Sequence, residues 1–254
     1  PRPMNLLAFD TSTDTLSIAV QRGDAVWQHT GAGGAQASAA LIPAIQRLLA
    51  EAGLGFDTLD AIVFGRGPGS FTGLRTACAV AQGLAFGARN GQGTPVLPVD
   101  TLLAVAEDAR HARAPLGEAL QVVAVLDARM DEVYAARYAW DGVRWSAGGD
   151  WSVGKPEALA GDGPADGAGW VVAGNAFEAY GDRLLPGWPR LVARPSARAL
   201  LRLAPALLAD GQAVPAAQAL PRYIRDKVAK TTEERALEKA AALASSSTAL
   251  PPPS

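Results

Sequence analysis

Side chains that build covalent or metal-held frameworks are scarce in this sequence. The 254 residues include one cysteine, Cys78, and two histidines, His29 and His111. One cysteine cannot close an internal disulfide, and these three groups cannot form a four-ligand Cys/His zinc site. We therefore expect a protein of the reducing cytoplasm with no structural zinc, although carboxylates could still hold a metal.

Neither sign of charge is in excess, and no long hydrophobic run is present. Lys and Arg number 23 against 25 Asp and Glu, for a formal net charge of -2, which excludes a basic chain that coats nucleic acid. The most apolar stretch, residues 71–88, is built on Ala and Gly and carries Arg75 and Gln82. It predicts a buried helix and no membrane span. Nothing near Met4 resembles a targeting signal.

The chain has the composition of an ordinary globular protein, with 49% hydrophobic and 19% charged residues. Its length predicts one large domain or two packed smaller ones. A buried run that ends in Asp10 begins a three-strand meander, and helices and strands then alternate as far as His111. The first half therefore predicts the order βββαβαβα, a βββαβα lobe followed by a further strand and helix.

The second half opens in the same way. A buried run ends in Asp127, a turn follows, and an alternating strand leads to a hairpin turn at Asp141 and a strand over 143–145. Asp127 follows Asp10, and Asp131 follows Asp14, by the same 117 positions (127 − 10 and 131 − 14). A repeat of this length indicates a duplicated domain.

Two such units predict an α/β fold of duplicated βββαβα lobes, the architecture of the actin, Hsp70 and sugar-kinase (ASKHA) ATPases. We expect an N-terminal lobe over residues 4–111, joined by about 196–225, and a C-terminal lobe over 112–195. A terminal helix and a disordered tail are expected over 231–254.

A glycine-rich loop over residues 65–75 joins a strand to the apolar helix. It fits neither the Walker pattern nor the dinucleotide fingerprint. Its glycines allow close backbone approach, Ser70 can cap the helix, and free amides there could hold an anion. Tight packing between strand and helix explains the same residues. The nucleotide or phosphate candidates are Asp10, Thr11, Ser12, Gly67, Gly69 and Ser70.

ATP chemistry is the main alternative for function. Kinases of this architecture place glycine after the first-strand Asp, so that backbone amides wrap the phosphates. Here Thr11 follows Asp10, and Ala128 follows Asp127. Asp10 could still hold hydrated Mg²⁺, or it could satisfy the amides of its own turn. Our expectation is that this chain has no catalytic residue. A small-molecule kinase or ATPase of the same fold remains the alternative.

Four segments carry a resemblance to a known family. They are Leu6 to Thr13, Gly65 to Arg75 followed by Ala81 to Ala85, Leu126 to Tyr134 and Tyr223 to Ala229. In this order they resemble the bacterial TsaB (YeaZ) family of tRNA threonylcarbamoyladenosine biosynthesis proteins. The resemblance implies a non-catalytic dimerisation or scaffold subunit. Its complex transfers threonylcarbamoyl to N6 of the adenosine next to the anticodon, in tRNAs that read codons starting with A.

The resemblance also implies partners. They are the catalytic subunit TsaD in a heterodimer, the ATPase TsaE, tRNA reached through the complex, and a second copy in isolation. No intrinsic cofactor is implied, and ATP or ADP with Mg²⁺ would lie at the interface of the complex. The related catalytic subunit uses a His-x3-His metal pair, which this sequence lacks, so a metal site and metallopeptidase activity are not expected.

The resemblance places the contact with the catalytic subunit on the first two long helices. A stripe of small residues at Gly73, Ala77, Ala81 and Ala85 permits close helix packing. The full set of expected interface residues is Leu41, Ile45, Leu48, Thr72, Gly73, Thr76, Ala77 and Val80. Burial inside the lobe is the alternative for the apolar members of this set, since one face of each helix must pack on its own sheet.

Overall fold

A computed structural model describes residues 3–89, 93–113, 118–162 and 167–224, which fall in one compact unit. The helix and tail expected over 231–254 lie outside the described residues. The elements in chain order are β1 (Asn5–Asp10), β2 (Thr15–Arg22), β3 (Ala25–Ala32), α1 (Ala37–Ala52), β4 (Ala61–Gly67), α2 (Phe71–Gly87), β5 (Val96–Asp100), α3 (Thr101–Arg113), β6 (Leu120–Arg129), β7 (Glu132–Trp140), β8 (Trp145–Ala147), β9 (Ser152–Gly154), β10 (Trp170–Gly174), α4 (Phe177–Tyr180), β11 (Arg190–Val192) and α5 (Ala197–Ala209).

The two halves of the chain form two sheets with the same topology. The first sheet has the order β3-β2-β1-β4-β5, and the second has β8-β7-β6-β10-β11, with β9 added beside β7. In each sheet the first three strands are antiparallel, and the next two run parallel to the first strand. This confirms the predicted α/β fold of two duplicated lobes. The residue boundaries of the lobes stay a prediction.

The duplication is complete in the sheets but not in the helices. Where the first lobe has α1 and α2, the second has a 3-10 segment over Pro156–Asp162 and the single turn of α4. The glycines, prolines and aspartates between residues 148 and 169 disfavour a long helix there. The hairpin strand also starts later than predicted, at Trp145, because Asp141 Oδ1 accepts the N–H groups of Val143 and Arg144 and holds both in the turn.

The aligned carboxylates Asp10 and Asp127 lie on opposite faces of their sheets. Asp10 shares its face with Leu6 and Ala8, which contact α5, whereas Asp127 lies on the face of Val125, away from α3. The predicted correspondence of these two residues is therefore wrong in side-chain orientation. Side chains alternate along a strand, and a shift of one residue reverses the face.

Local signals in the sequence account for the helix ends. Ser70 caps α2 by accepting the N–H of Gly73, and α1 ends at Gly53, whose φ of 64° suits glycine. Within the described ranges, no helix is both long and apolar enough to cross a membrane.

Helices α3 and α5 lie between the two sheets, with α3 packed mainly on the second sheet and α5 on the first. Leu102, Val105 and Ala109 of α3 pack with Val122 and Ala124 of the second sheet. Conversely, α5 buries Ala199, Leu200, Leu203 and Ala204 against the first sheet. The two helices also contact each other. The layer between the sheets thus joins both lobes into one core, while α1 and α2 cover the other face of the first sheet.

A buried carboxylate connects the helices of this layer. Glu107 of α3 is 2% exposed and accepts hydrogen bonds from Arg110 at 2.7 Å, Arg202 of α5 at 2.8 Å and Trp145 of β8 at 3.1 Å. Burial alone would raise the pKa of Glu107, but these hydrogen bonds hold it below its ordinary value. One side chain therefore links α3, α5 and β8 through charge-assisted hydrogen bonds.

We predict that Glu107→Gln lowers the free energy of unfolding by about 3 kcal/mol, because Arg110 is left without its counter-charge in the core and Arg202 keeps only the more distant Asp108. Urea unfolding followed by tryptophan fluorescence measures this change. The matched control is Glu51→Gln. Glu51 forms an exposed pair with Arg47 at 3.6 Å, so its loss should cost less than about 0.5 kcal/mol. Equal effects of the two substitutions would contradict the role of Glu107.

Candidate functional site

The turn after β1 is packed beneath the first turn of α2. Thr11 Oγ1 donates to the Gly73 carbonyl at 2.7 Å, and the Ser70 N–H donates to the Ser12 carbonyl at 2.7 Å. Asp10, Thr11 and Ser12 are all buried. The structure thus brings the predicted nucleotide residues together, but their polar groups bond to one another.

The glycines of the loop are required by this packing. A methyl group on Gly73 would lie 1.9 Å from the Thr11 carbonyl oxygen, and one on Gly69 would lie 2.6 Å from Ser12. Such distances are shorter than any van der Waals contact, so the chain can approach this closely only at glycine. Of the two explanations open at the level of sequence, tight packing accounts for these glycines.

A segment that follows α5 covers the other side of the loop. The Arg222 N–H donates to the Arg66 carbonyl at 2.8 Å, and the Arg222 carbonyl lies where a side chain on Gly67 would be. Gly67 donates its N–H to Thr101 Oγ1 at 3.1 Å. The glycine-rich loop is therefore enclosed by α3, by the β1–β2 turn and by this segment.

Asp10 is a fully buried ionisable group at the centre of this arrangement. Its Oδ1 accepts the N–H and the hydroxyl of Ser12 at 2.9 and 2.6 Å, whereas its buried Oδ2 has no hydrogen-bond partner among the described residues. Burial raises the pKa of Asp10 to about 6, although the bonds from Ser12 lower it. The Asp10 carboxylate thus accepts the hydrogen bonds of its own turn, and burying its charge lowers the folding stability at neutral pH.

The carboxylate near the end of β6 in the second lobe is held by different contacts. Asp127 Oδ1 accepts the Arg129 N–H at 2.8 Å and the Tyr180 hydroxyl at 2.8 Å, and the Asn175 amide oxygen accepts the Asp127 N–H at 3.1 Å. Gly174 lies so close to the Val125 carbonyl that a methyl group there would sit 1.7 Å from the oxygen. Close contact between β10 and β6 thus accounts for Gly174, and the hydrogen bond from Asp127 accounts for Asn175. Asp10 and Asp127 do not face one shared space.

Five of the expected interface residues are buried inside the first lobe. Leu41, Ile45 and Leu48 of α1 and Ala77 of α2 belong to the core against the first sheet, and Gly73 contacts the β1–β2 turn. This corrects the expectation that these five residues form a contact surface. The spacing of small residues along α2 predicted a packing stripe, but that stripe faces the protein's own sheet.

The opposite side of α2 carries a second row of mostly small residues at the surface. It comprises Thr72, Thr76, Ala79, Gly83 and Phe86, and we call it the outer stripe. Its spacing of four and three residues follows one helix face. Phe86 is 57% exposed, and a methyl group on Gly83 would meet nothing within 4 Å. Val80 lies half-buried beside the stripe.

Sequence reasoning included Thr72 and Thr76 but missed Ala79, Gly83 and Phe86. Their four-three spacing in the sequence is the signal that could have revealed them. Among the described residues, no group of three His, Cys, Asp or Glu side chains is placed to hold a metal ion.

We predict that Asp10→Asn relieves a pH-dependent loss of stability. The pKa of Asp10 rises from 3.8 to about 6 on folding, so the folded protein binds the extra proton between these values and the wild type loses stability as pH increases through this window. Relative to wild type, the variant should gain about 2–3 kcal/mol between pH 4 and pH 7.5.

Urea unfolding at both pH values measures this difference, and the comparison cancels any constant cost of fitting the amide. Asp14→Asn, in the exposed part of the same turn, is the control. A stability difference between Asp10→Asn and wild type that stays constant from pH 4 to pH 7.5 would show that Asp10 is not the titrating group.

Comparisons with known proteins agree with this architecture. Residues 33–233 match the family model described as TsaD, tRNA N6-adenosine threonylcarbamoyltransferase. The tRNA threonylcarbamoyladenosine biosynthesis protein TsaB of Escherichia coli K12 is 34% identical over 234 residues, which cover 89% of this chain and 96% of that protein. TsaB of Haemophilus influenzae is 35% identical over 239 residues, 89% of this chain and 95% of that protein.

Solved structures agree as well. YeaZ from Pseudomonas aeruginosa superposes with a TM-score of 0.74 at 38% identity, over 87% of this chain and all of that one. Sequence identity over nearly the full length of two TsaB proteins and structural likeness to YeaZ point to the same group. The chain belongs to the TsaB (YeaZ) family of tRNA threonylcarbamoyladenosine biosynthesis proteins.

Proposed function

We propose that this chain is a non-catalytic scaffold subunit in the synthesis of threonylcarbamoyladenosine on tRNA. The observation that carries the proposal is the outer stripe of α2. An exposed helical glycine such as Gly83 destabilises a helix by about 1 kcal/mol relative to alanine, unless its lack of a side chain serves another purpose. Close approach of a helix from a partner protein is such a purpose.

The partner that this surface fits is a protein offering a similarly narrow helix. Small residues let two helix axes approach closely, and Phe86 at the end of the stripe supplies an apolar anchor. Ile42 of α1, 41% exposed, adds apolar area on the neighbouring helix. In our proposal this face pairs with the catalytic subunit TsaD, and with a second copy of the chain when TsaD is absent.

The non-catalytic part of the proposal is supported by the enclosed β1–β2 turn. A nucleotide there would need hydrogen-bond donors for its phosphates. The Ser70 backbone N–H and the Thr11 hydroxyl already donate to groups inside the protein. Asp10 and Asp127 also lie on opposite faces of their sheets. We therefore assign ATP or ADP, with Mg²⁺, to the interface of the complex in the cytoplasm, where TsaE and tRNA would also engage.

We predict that Gly83→Leu weakens binding to TsaD at least tenfold. The isobutyl group projects from the outer stripe and prevents close approach of the partner helix. Replacing a helical glycine by leucine also raises the free energy of unfolding of the monomer by about 1 kcal/mol, so lost binding cannot be attributed to unfolding. Size-exclusion chromatography with light scattering and calorimetric titration measure the complex.

Ala206→Leu is the matched control, because Ala206 is an exposed small residue on α5, away from α2. Its affinity for TsaD should stay at the wild-type value. Thr76→Trp tests the stripe at a second position and should also abolish the heterodimer. Unchanged affinity of both α2 variants would remove this helix from the interface.

We also predict that the purified chain alone does not turn over ATP. The expected reason is that the donors around Asp10 are engaged inside the protein. Release of labelled phosphate over several hours is the measurement. Turnover that persists through purification and disappears in Asp10→Ala would favour the kinase or ATPase alternative.

A further inference from the structure

A polar pocket lies between the lobes, at some distance in sequence from the glycine-rich loop. Its volume is about 250 Å³. One wall is the edge of the first sheet, and the other is the segment that leads from β11 into α5, with α3 beside it. The polar residues that line it are Thr13, Thr15, Ser17, Thr30, Asp108, Arg194 and Ser196, and the Thr13 hydroxyl is already bonded to the backbone of Thr15.

Several hydrogen-bond donors that line this pocket have no acceptor among the described residues. Arg194 uses one Nη1 bond to Thr15 Oγ1 at 3.5 Å, and its other side-chain N–H groups have no partner among the described residues. Ser17 Oγ accepts the Ala197 N–H at 2.8 Å, which leaves its own proton to donate. The hydroxyl of Thr30 likewise has no partner within the described ranges.

The one carboxylate in the lining is already compensated. Asp108 Oδ1 accepts a hydrogen bond from the Ser196 hydroxyl at 2.7 Å, and Oδ2 accepts one from the backbone N–H of Arg194 at 3.2 Å. Arg202 lies 3.8 Å from Oδ1. Asp108 therefore positions the segment before α5, and its charge is balanced by Arg202. The free guanidinium N–H groups and hydroxyls are left to meet a ligand.

From these donors we infer that the pocket binds a small molecule bearing an oxyanion, either a phosphate or a carboxylate. Guanidinium and hydroxyl groups match the acceptor oxygens of both. The volume is below the roughly 300–1,000 Å³ of pockets for drug-sized ligands, which suits a small metabolite better than a whole nucleotide. A bound oxyanion would tie the first sheet to the segment before α5. This inference does not depend on the proposed function.

Calorimetric titration of the full chain with inorganic phosphate, and separately with acetate, at constant ionic strength tests the inference. Wild type should bind at least one probe saturably. Binding of phosphate alone identifies a phosphate site, and binding of acetate alone identifies a carboxylate site. Arg194→Gln should weaken binding at least tenfold, while its backbone N–H still reaches Asp108.

Arg198→Gln is the matched control, because Arg198 is an exposed arginine on α5 outside the pocket lining. Its affinity should equal that of wild type. Thr30→Val removes only one hydroxyl and should weaken binding about threefold or more, with the thermal unfolding temperature confirming the fold of each variant. Failure of wild type to bind either probe, or equal weakening by the Arg194 and Arg198 variants, would overturn the inference.

Discussion

The structure depends on the helix layer that the two sheets share, with Glu107 at its centre. Since α3 packs mainly on the second sheet and α5 on the first, and the two helices contact each other, one layer buries the inner faces of both sheets. Hydrophobic burial accounts for most of this cohesion, and the bonds of Glu107 to Arg110, Arg202 and Trp145 specify how the helices are oriented. The relative position of the lobes follows from this layer, and with it the pocket beside Arg194.

The enclosed turn at Asp10 follows from the same constraint. Asp10 lies on the inner face of the first sheet, near the beginning of α3. There, Thr101 Oγ1 accepts a hydrogen bond from the Gly67 N–H. Closing the lobes around this point buries a carboxylate whose pKa is raised to about 6, so the fold is destabilised by its charge at neutral pH. The glycines of the loop let the backbone pack tightly here, which leaves no space for phosphate groups between Thr11 and α2.

Much of the fold could be predicted from the sequence, because its signals are local. Apolar runs marked the central strands, and Ser70 and Gly53 marked helix ends. The face of Asp127 could not be predicted, because side chains alternate along a strand and an offset of one residue along β6 is enough to reverse the face. The outward side of α2 could not be predicted either. Small residues occupy both of its faces, so the helix has little amphipathic contrast to indicate which side is buried.

The two faces of α2 use small residues for different physical reasons, and this difference separates structure from function. Gly73 is required by the fold, since the Thr11 carbonyl occupies the space of any side chain. Gly83 has open space around its Cα, and nothing in the described structure requires glycine there. A glycine that destabilises its helix without serving internal packing is best explained by a surface that must stay narrow. This is why our proposal assigns the contact with another molecule to the outer stripe of α2.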